Sequence, residues 1–266
     1  MRPVVLILQS DMLSVNATAS QVNAVVPHAR CLPTSRLEQT MHFLAANSVD
    51  MLVTTLDVNC GDVLDLLVRS RGTPWQAGHV MVTTARLMPR VVLTLRSLAV
   101  PGAFDVDGGS PVEFQEALGR VVAGKTYWSR TLLDALHAPG TRKLNSQLSP
   151  AEQLGIAVLG DGCGDHTAAR LLGMQHSSVR SLRKRIHAKL GAHDKEDMMR
   201  MAAQLGYTRF TANGVVPLGL GMLALEYLRG TQRPMPLSDE LMRMCGLTAE
   251  NLRHDLAGAR VSQVAQ

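Results

Sequence analysis

The most chemically loaded stretch of this sequence lies between Ser177 and Leu190. It holds Arg180, Arg183, Lys184, Arg185 and Lys189 with no acid among them, while Val179, Leu182, Ile186 and Leu190 recur every three or four residues. On a helix that spacing gathers the apolar residues on one face and leaves the other faces cationic. A cationic helix anchored from behind can enter the major groove of a duplex, where Arg and Lys donate to guanine O6 and N7 or pair with phosphates. A solvated basic face is the alternative reading of the same residues. A second pattern, Gly119-Arg120-Val121-Val122-Ala123-Gly124-Lys125-Thr126, satisfies G-x-x-x-x-G-K-T. A phosphate loop of that type must follow a buried strand and open a helix, so that backbone N–H groups wrap the phosphates. Here a helix starting at Ser110-Pro111 continues through the pattern on Phe114, Leu118, Val121 and Val122, so no nucleotide site is expected.

Other reactive residues are scattered. Cys31, Cys60, Cys163 and Cys245 form no C-x-x-C pair, and the nine histidines form no H-E-x-x-H and no His-Cys cluster. No metal, cofactor or redox dithiol is therefore expected, and reduced thiols in a cytoplasm are. His176 and His187 read as solvent-facing or phosphate-proximal. The opening run Met1 to Leu8 is too short for a signal peptide, and Gly214 to Leu228 is short and broken by Glu226, which suits a buried helix rather than a membrane span.

The elements that would position the cationic helix can be read outward from it. Ser149-Pro150-Ala151-Glu152 is a capping box with proline at the first helical position, ahead of Leu154, Ile156, Val158 and Leu159. Gly160 and Gly162 can end that helix. A second helix fits Asp165 to Leu172, capped by Asp165 or Gly164, and Gly173 makes the turn into the third. Residues 137–147 are polar with a Pro-Gly turn and read as linker. Upstream, Val4 to Leu8, Met51 to Leu56 and His79 to Thr84 read as short buried strands. Helical patterns lie between and after them, near Ala17 to Val26, Leu37 to Asn47, Val63 to Arg71, Val91 to Leu98 and Pro111 to Ala123. Strands separated by helices imply a parallel sheet covered on both faces.

The length of 266 residues and 46% hydrophobic content suit two small folded domains. Charge divides unevenly between them: 11 Lys+Arg against 11 Asp+Glu over residues 1–140, but 16 against 11 over residues 141–266. That asymmetry fits a neutral regulatory domain joined to a module that meets a polyanion.

From Leu148 to Tyr207 the chain resembles the DNA-binding domain of the LuxR family without insertion or deletion. The resemblance rests on Leu148-Ser149-Pro150, Glu152, Gly162, Ala169, Leu172-Gly173, Val179, Ile186 and Lys189-Leu190-Gly191. The departures are Leu154 in place of Glu, Leu182 in place of His, and Gln175 where a Ser usually caps the recognition helix; Ser177 or Ser178 is the expected substitute cap. The resemblance implies that Arg180, Ser181 and Lys184 face bases and that Ser178, Arg183, Arg185 and Lys189 hold phosphates. It also implies a homodimer paired through the next helix, about Lys195 to Leu205, with Met198, Met199, Met201, Ala202 and Leu205 as apolar candidates. Two half-sites on double-stranded DNA would then lie about 10 bp apart.

Pro3 to Leu133 resembles the receiver domain of response regulators, ending in Val122-Ala123-Gly124-Lys125-Thr126-Tyr127-Trp128-Ser129. A receiver needs a nucleophilic Asp, an acidic pair for magnesium and a Lys for the phosphoryl group. The resemblance puts Thr55 at the nucleophile, Gln9 and Ser10 at the acidic pair, Asp107 at the Lys and Thr84 at the switch position. A shifted alignment would make Asp57 the acceptor and Asp11 a metal ligand. The expectation is a flavodoxin-like α/β receiver-like domain (1–133), a linker (134–147), an all-α helix-turn-helix domain (148–207) and a helical extension (208–266). Two helices at Leu218 to Leu228 and Ser238 to Met244, and a third from Ala249 toward Val261 capped by Thr248, are expected in the extension. They either pack on the DNA-binding domain or across the dimer, or form a second reading head around Cys245-Gly246-Leu247-Thr248. The function expected is a cytoplasmic, non-enzymatic transcription regulator, independent of aspartyl phosphorylation, taking a protein or small-molecule signal at the receiver-like domain. The alternatives are an adaptor or anti-activator with a vestigial DNA-binding domain, and a phosphorylatable regulator using Asp57.

Overall fold

Alternation of apolar residues along short strands, with helices between them, builds the first half of the chain. The computed structural model describes residues 2–58, 61–70, 77–139, 141, 147–212, 214–230, 236–245 and 247. The chain divides into two units, residues 1–144 and 145–266. Cys60, residues 142–146 of the expected linker, and the expected Thr248 cap and 249–261 helix lie outside the described residues.

In the first unit β1 (Val4–Leu8), β2 (Arg30–Thr34), β3 (Met51–Thr55), β4 (His79–Thr84), β5 (Gly102–Asp105) and β6 (Tyr127–Trp128) form one sheet in the order β2-β1-β3-β4-β5-β6. All its pairings are parallel. The connecting helices are α1 (Met12–Val25), α2 (Leu37–Ala46), α3 (Val63–Ser70), α4 (Pro89–Ser97) and α5 (Pro111–Val122), and α6 (Arg130–His137) follows β6. One face of the sheet presents Val5, Ile7, Met51, Val53, Met81 and Phe104, which pack with Val15 and Val22 of α1 and Phe114, Ala117, Leu118 and Val121 of α5. On the other face Ala103 meets Val92 of α4 and Leu132 of α6. Because successive strand residues point to opposite faces, Thr55, Thr83 and Phe104 share the α1/α5 face, and Thr84 and Asp105 lie on the other. The register confirms this alignment, with Thr55 beside Thr83 and Thr83 beside Phe104.

α5 settles the apparent phosphate loop. Its capping box at Ser110 and Glu113 starts the helix, and Gly119 lies inside it, so the G-x-x-x-x-G-K-T pattern follows a helix and leads into β6. The strand-loop-helix order required to cradle phosphate is reversed. α6 extends the first unit past the expected boundary at 133, packing on α4 and β5.

The second unit is built on α7 (Pro150–Leu159), α8 (Asp165–Leu172), α9 (His176–Leu190) and α10 (Lys195–Leu205). The capping box at Ser149 and Glu152 is formed on both sides. Gly155 sits where an added Cβ would meet Leu182 Cδ2 at 2.8 Å, so the missing side chain lets α9 press against α7. Gly173 ends α8 in the left-handed region at φ 63°, turning the chain into α9.

The tail departs from a purely helical reading. Directly after Tyr207 comes an antiparallel hairpin, β7 (Thr208–Thr211) and β8 (Gly214–Pro217), before α11 (Leu220–Gly230) and α12 (Asp239–Cys245). Thr-Arg-Phe-Thr and Gly-Val-Val-Pro carry β-branched and aromatic residues, which favour paired strands. The described part of the extension packs on the helix-turn-helix unit: α11 lies on α7, and α12 contacts α8. Ser238 Oγ donates to the Leu171 carbonyl at 2.6 Å, and Arg170 pairs with Glu240.

Candidate nucleic-acid interface and receiver-like cleft

Three buried side chains, Val179, Leu182 and Ile186, root α9 in its unit. Helical geometry places Ser177, Arg180, Ser181, Lys184 and Ala188 opposite them, and all five are exposed. Lys184 makes no ion pair among the described residues. Arg180 is 64% exposed, with its nearest carboxylate, that of Asp165, at 3.8 Å. Ser181 Oγ donates back to the Ser177 carbonyl at 3.0 Å.

The flanks of α9 are tied down. On one side Arg183 Nε donates to Asp165 Oδ1 at 2.7 Å and its Nη2 to the Cys163 carbonyl at 3.1 Å, leaving the side chain 18% exposed. On the other, Lys189 Nζ donates to Glu152 Oε2 at 2.7 Å, and Arg185 Nε lies 3.6 Å from Glu152 Oε1. The Glu152 side chain is only 4% exposed. Burial alone would raise its pKa, but the hydrogen bonds from Lys189 and from Ser149 hold it below the usual value. Burial also lifts the nearby Cys163 thiol to about 12, helped by the Asp161 carboxylate, so it stays protonated. The residues expected to act on DNA therefore fall into two groups. Arg180, Ser181 and Lys184 stand together and outward, with Ser178 exposed on the flank of Arg185, whereas Arg183 and Lys189 are engaged by carboxylates of α8 and α7.

One detail of this helix and one of α10 correct the sequence expectation. Neither Ser177 nor Ser178 caps it: the N-cap is Gln175, with no side-chain cap hydrogen bond, because the helix begins one residue earlier at His176. On α10, Met198 and Ala202 are fully buried and so are unavailable to a partner. Ala202 packs at Gly160, where an added Cβ would come within 2.6 Å of it. Met201 and Leu205 are half-buried. The accessible apolar surface is a groove of about 410 Å³ lined by Met199, Ala203 and Phe210 with Glu196, Arg200 and Gln204. Phe210, on β7, is 59% exposed. Sequence reasoning missed it; an aromatic residue in a short β-rich run just past Tyr207 was the available signal.

In the first unit a cleft of about 480 Å³ opens where α1, α5 and the strand ends meet, lined by Gln9, Ser10, Thr55, Asp57, Thr83 and Phe104 among others. Thr55, Gln9 and Ser10 thus stand together as the resemblance implied. Thr84 does not join them. It is buried on the opposite face and accepts a hydrogen bond from Arg86 N–H at 2.9 Å, while Thr83 faces the cleft. Asp107 is exposed and does not line the cleft, since the register brings Phe104 there instead. A one-residue offset accounts for Thr84, because it exchanges the faces of a sheet, whereas Asp107 lies two residues past the end of β5 at Asp105 and so is off the sheet altogether.

These residues do not fit magnesium or phosphoryl chemistry. Magnesium seeks carboxylate oxygens, and Asp57 is the one carboxylate lining the cleft among the described residues; its Oδ1 is 2.5 Å from Arg86 Nε. Asp11 is occupied as the N-cap of α1, accepting from Ser14 N–H at 2.9 Å and from the Ser14 and Ser10 hydroxyls at 2.8 Å. Those bonds, the Ser14 N–H first, draw its pKa down to about 2.

A parallel six-stranded α/β unit followed by a helical unit is a fold shared with solved structures of RcsB. RcsB from Salmonella enterica serovar Typhimurium, bound to promoter rprA in the presence of the phosphomimetic BeF3−, is similar at 17% identity. It covers 75% of this chain and 98% of its own, with TM-score 0.54. RcsB bound to promoter P1flhDC matches at 17% identity over 77% of this chain and 100% of its own, with TM-score 0.51. A further Salmonella typhimurium RcsB structure, described by its conformational dynamism for DNA interaction, matches at 16% identity over 77% and 99%, with TM-score 0.52. The likeness is one of fold. No protein-family model and no curated protein matches the sequence. Among the described residues no helix is long and apolar enough to cross a membrane.

Proposed function

We propose that this chain is a sequence-specific DNA-binding transcription regulator that acts as a homodimer and does not depend on aspartyl phosphorylation. The observation that carries the reading is the division of labour on α9. The flanking cations Arg183 and Lys189 are held close by Asp165 and Glu152, which fixes the helix on its platform, while Arg180, Ser181 and Lys184 are exposed on the outward face, Arg180 with only a long 3.8 Å contact to Asp165. In this arrangement Arg180, Ser181 and Lys184 read base edges, and Ser178 and Arg185 meet phosphates on the rim. RcsB, which shares the fold, has been solved with promoter DNA, and that supports the same role here. Dimerisation uses Met199, Ala203 and Phe210 in place of the buried Met198 and Ala202. The cleft residues support phosphorylation independence, since Thr55 cannot form an acyl phosphate.

The deciding experiment is selection of bound sequences from a random duplex pool, followed by a salt titration of affinity for the selected site. A regulator gives a two-fold related consensus and a linear fall of log affinity with log salt, at a slope near minus 0.9 times the number of phosphates neutralised. An adaptor with a vestigial helix-turn-helix gives no consensus and no salt-dependent binding.

A further inference from the structure

The cleft at the strand ends has lost its charge chemistry without closing. We infer that it is a binding site for an uncharged, amphipathic small molecule, carrying a flat apolar ring and an amide or hydroxyl group, which serves as the signal of the receiver-like unit. The inference rests on the reading of that unit as a phosphorylation-independent input domain.

Its volume of about 480 Å³ falls within the range of small-molecule pockets. The floor is aromatic: Phe104 and Phe114 are both buried, with ring centroids 5.0 Å apart at 58°. Gly109 keeps space beside Phe104, where a Cβ would fall within 2.8 Å of the Asp105 carbonyl. The walls are hydroxyls and amides, and most of these are already engaged. Thr55 Oγ1 accepts from Asp57 N–H at 3.1 Å, Thr83 donates to the Thr54 carbonyl at 3.3 Å, Gln21 accepts from Gln115 at 2.7 Å, and Ser110 caps α5. Two are not engaged. The side-chain amide of Gln9 and the hydroxyl of Thr18 make no hydrogen bond to any described residue, yet Gln9 is only 6% exposed. Both open into the cleft, where the polar end of a ligand can meet them.

Charge selects the ligand class. The one lining carboxylate, Asp57, is paired with Arg86, so an anion or a cation could gain a counter-charge there only by breaking that pair. A neutral ligand avoids that penalty, stacking on Phe104 and Phe114 while Gln9 and Thr18 hold its polar end.

The test uses the full chain and two isosteric probes, 4-hydroxybenzamide and 4-hydroxybenzoate, with binding read by saturation-transfer NMR and calorimetric titration in the absence of DNA. The amide should bind, and the carboxylate should bind at least tenfold more weakly. Gln9→Leu should weaken the amide at least tenfold, and Thr18→Phe, which fills the cleft from the half-exposed face of α1 without touching the core, should abolish binding. No binding of the amide, equal binding of the carboxylate, or undiminished binding to Thr18→Phe would overturn the inference. Since DNA takes no part in this assay, a failure here leaves the regulator reading standing, and a failure to select a DNA consensus leaves the ligand result readable.

Discussion

Lys189 on α9 donates to Glu152 on α7 across 2.7 Å, and the same carboxylate accepts the backbone N–H of Ser149 at 2.8 Å. One nearly buried acid thus closes the cap that starts α7 and fastens the far end of α9. Its lowered pKa means that the contribution to stability is present above the unfolded value of 4.5 and is lost as pH falls below that through the folded value. Glu152→Gln should destabilise the second unit at neutral pH by about 1–3 kcal/mol, with the difference from wild type shrinking below pH 4.5. Hydrogen exchange of the α9 amides in the full chain reads this locally. Equal protection in both proteins at pH 7 would show that the pair contributes nothing.

Arg183 and Lys184 are adjacent in sequence and are predicted to fail in opposite ways. Arg183 uses Nε on Asp165 and Nη2 on the Cys163 carbonyl, a fork that a lysine cannot reproduce. Arg183→Lys should therefore lower the melting temperature and weaken all DNA alike, with the salt slope nearly unchanged. Lys184→Ala should leave stability within about 0.5 kcal/mol while costing about 1–3 kcal/mol of specific affinity, as should Arg180→Ala. Fluorescence anisotropy across a salt series, beside thermal melts, separates the two. Unchanged operator affinity in both Arg180→Ala and Lys184→Ala would remove the base-reading assignment.

How far the chain was legible follows from which signals are local. The capping box at Ser149 and Glu152, the turn at Gly173 and the apolar row Val179, Leu182, Ile186 are written in neighbouring residues, and each appears where the sequence puts it. The partners of Arg183 and Lys189 are 18 and 37 residues away, so a positive charge free to meet phosphate and one held by a carboxylate look identical in sequence. Three strands of the parallel sheet, β2, β5 and the two-residue β6, and the hairpin β7–β8 were also missed, the first two for clear physical reasons. β2 is an edge strand that tolerates Pro33 and exposes much of its length, and β5 is four residues long and begins with glycine. The misplacement of the switch hydroxyl at Thr84 instead of Thr83 comes from the same source: pattern finds a strand, but only its neighbours fix which face each residue takes.

The surface of α10 offers a direct contrast between core and interface. Met198 is 0% exposed, so Met198→Ala should cost about 2–5 kcal/mol of stability whatever the oligomeric state. Phe210 and Ala203 lie in the open groove, where Phe210→Asp and Ala203→Glu introduce charge without emptying the core. Both should convert a dimer to a monomer with little change in melting temperature, measured by light scattering on a sizing column. A dimer that survives both substitutions would move the interface elsewhere.

Asp57 and Arg86 bear on the last question, whether phosphoryl transfer has been abandoned. The Asp57 carboxylate is already neutralised by Arg86, and Gln9 and Ser10 bring no charge to bind magnesium. A beryllofluoride adduct needs a carboxylate free to attack and a metal to hold the fluorides, and the cleft supplies neither. Beryllofluoride with magnesium should leave the sedimentation coefficient and DNA affinity of the wild type unchanged, and Asp57→Asn should behave as wild type in both. If the adduct instead raises dimerisation and Asp57→Asn abolishes the rise, Asp57 is an acceptor whose Arg86 partner yields on activation, and Arg86→Ala should then increase the response.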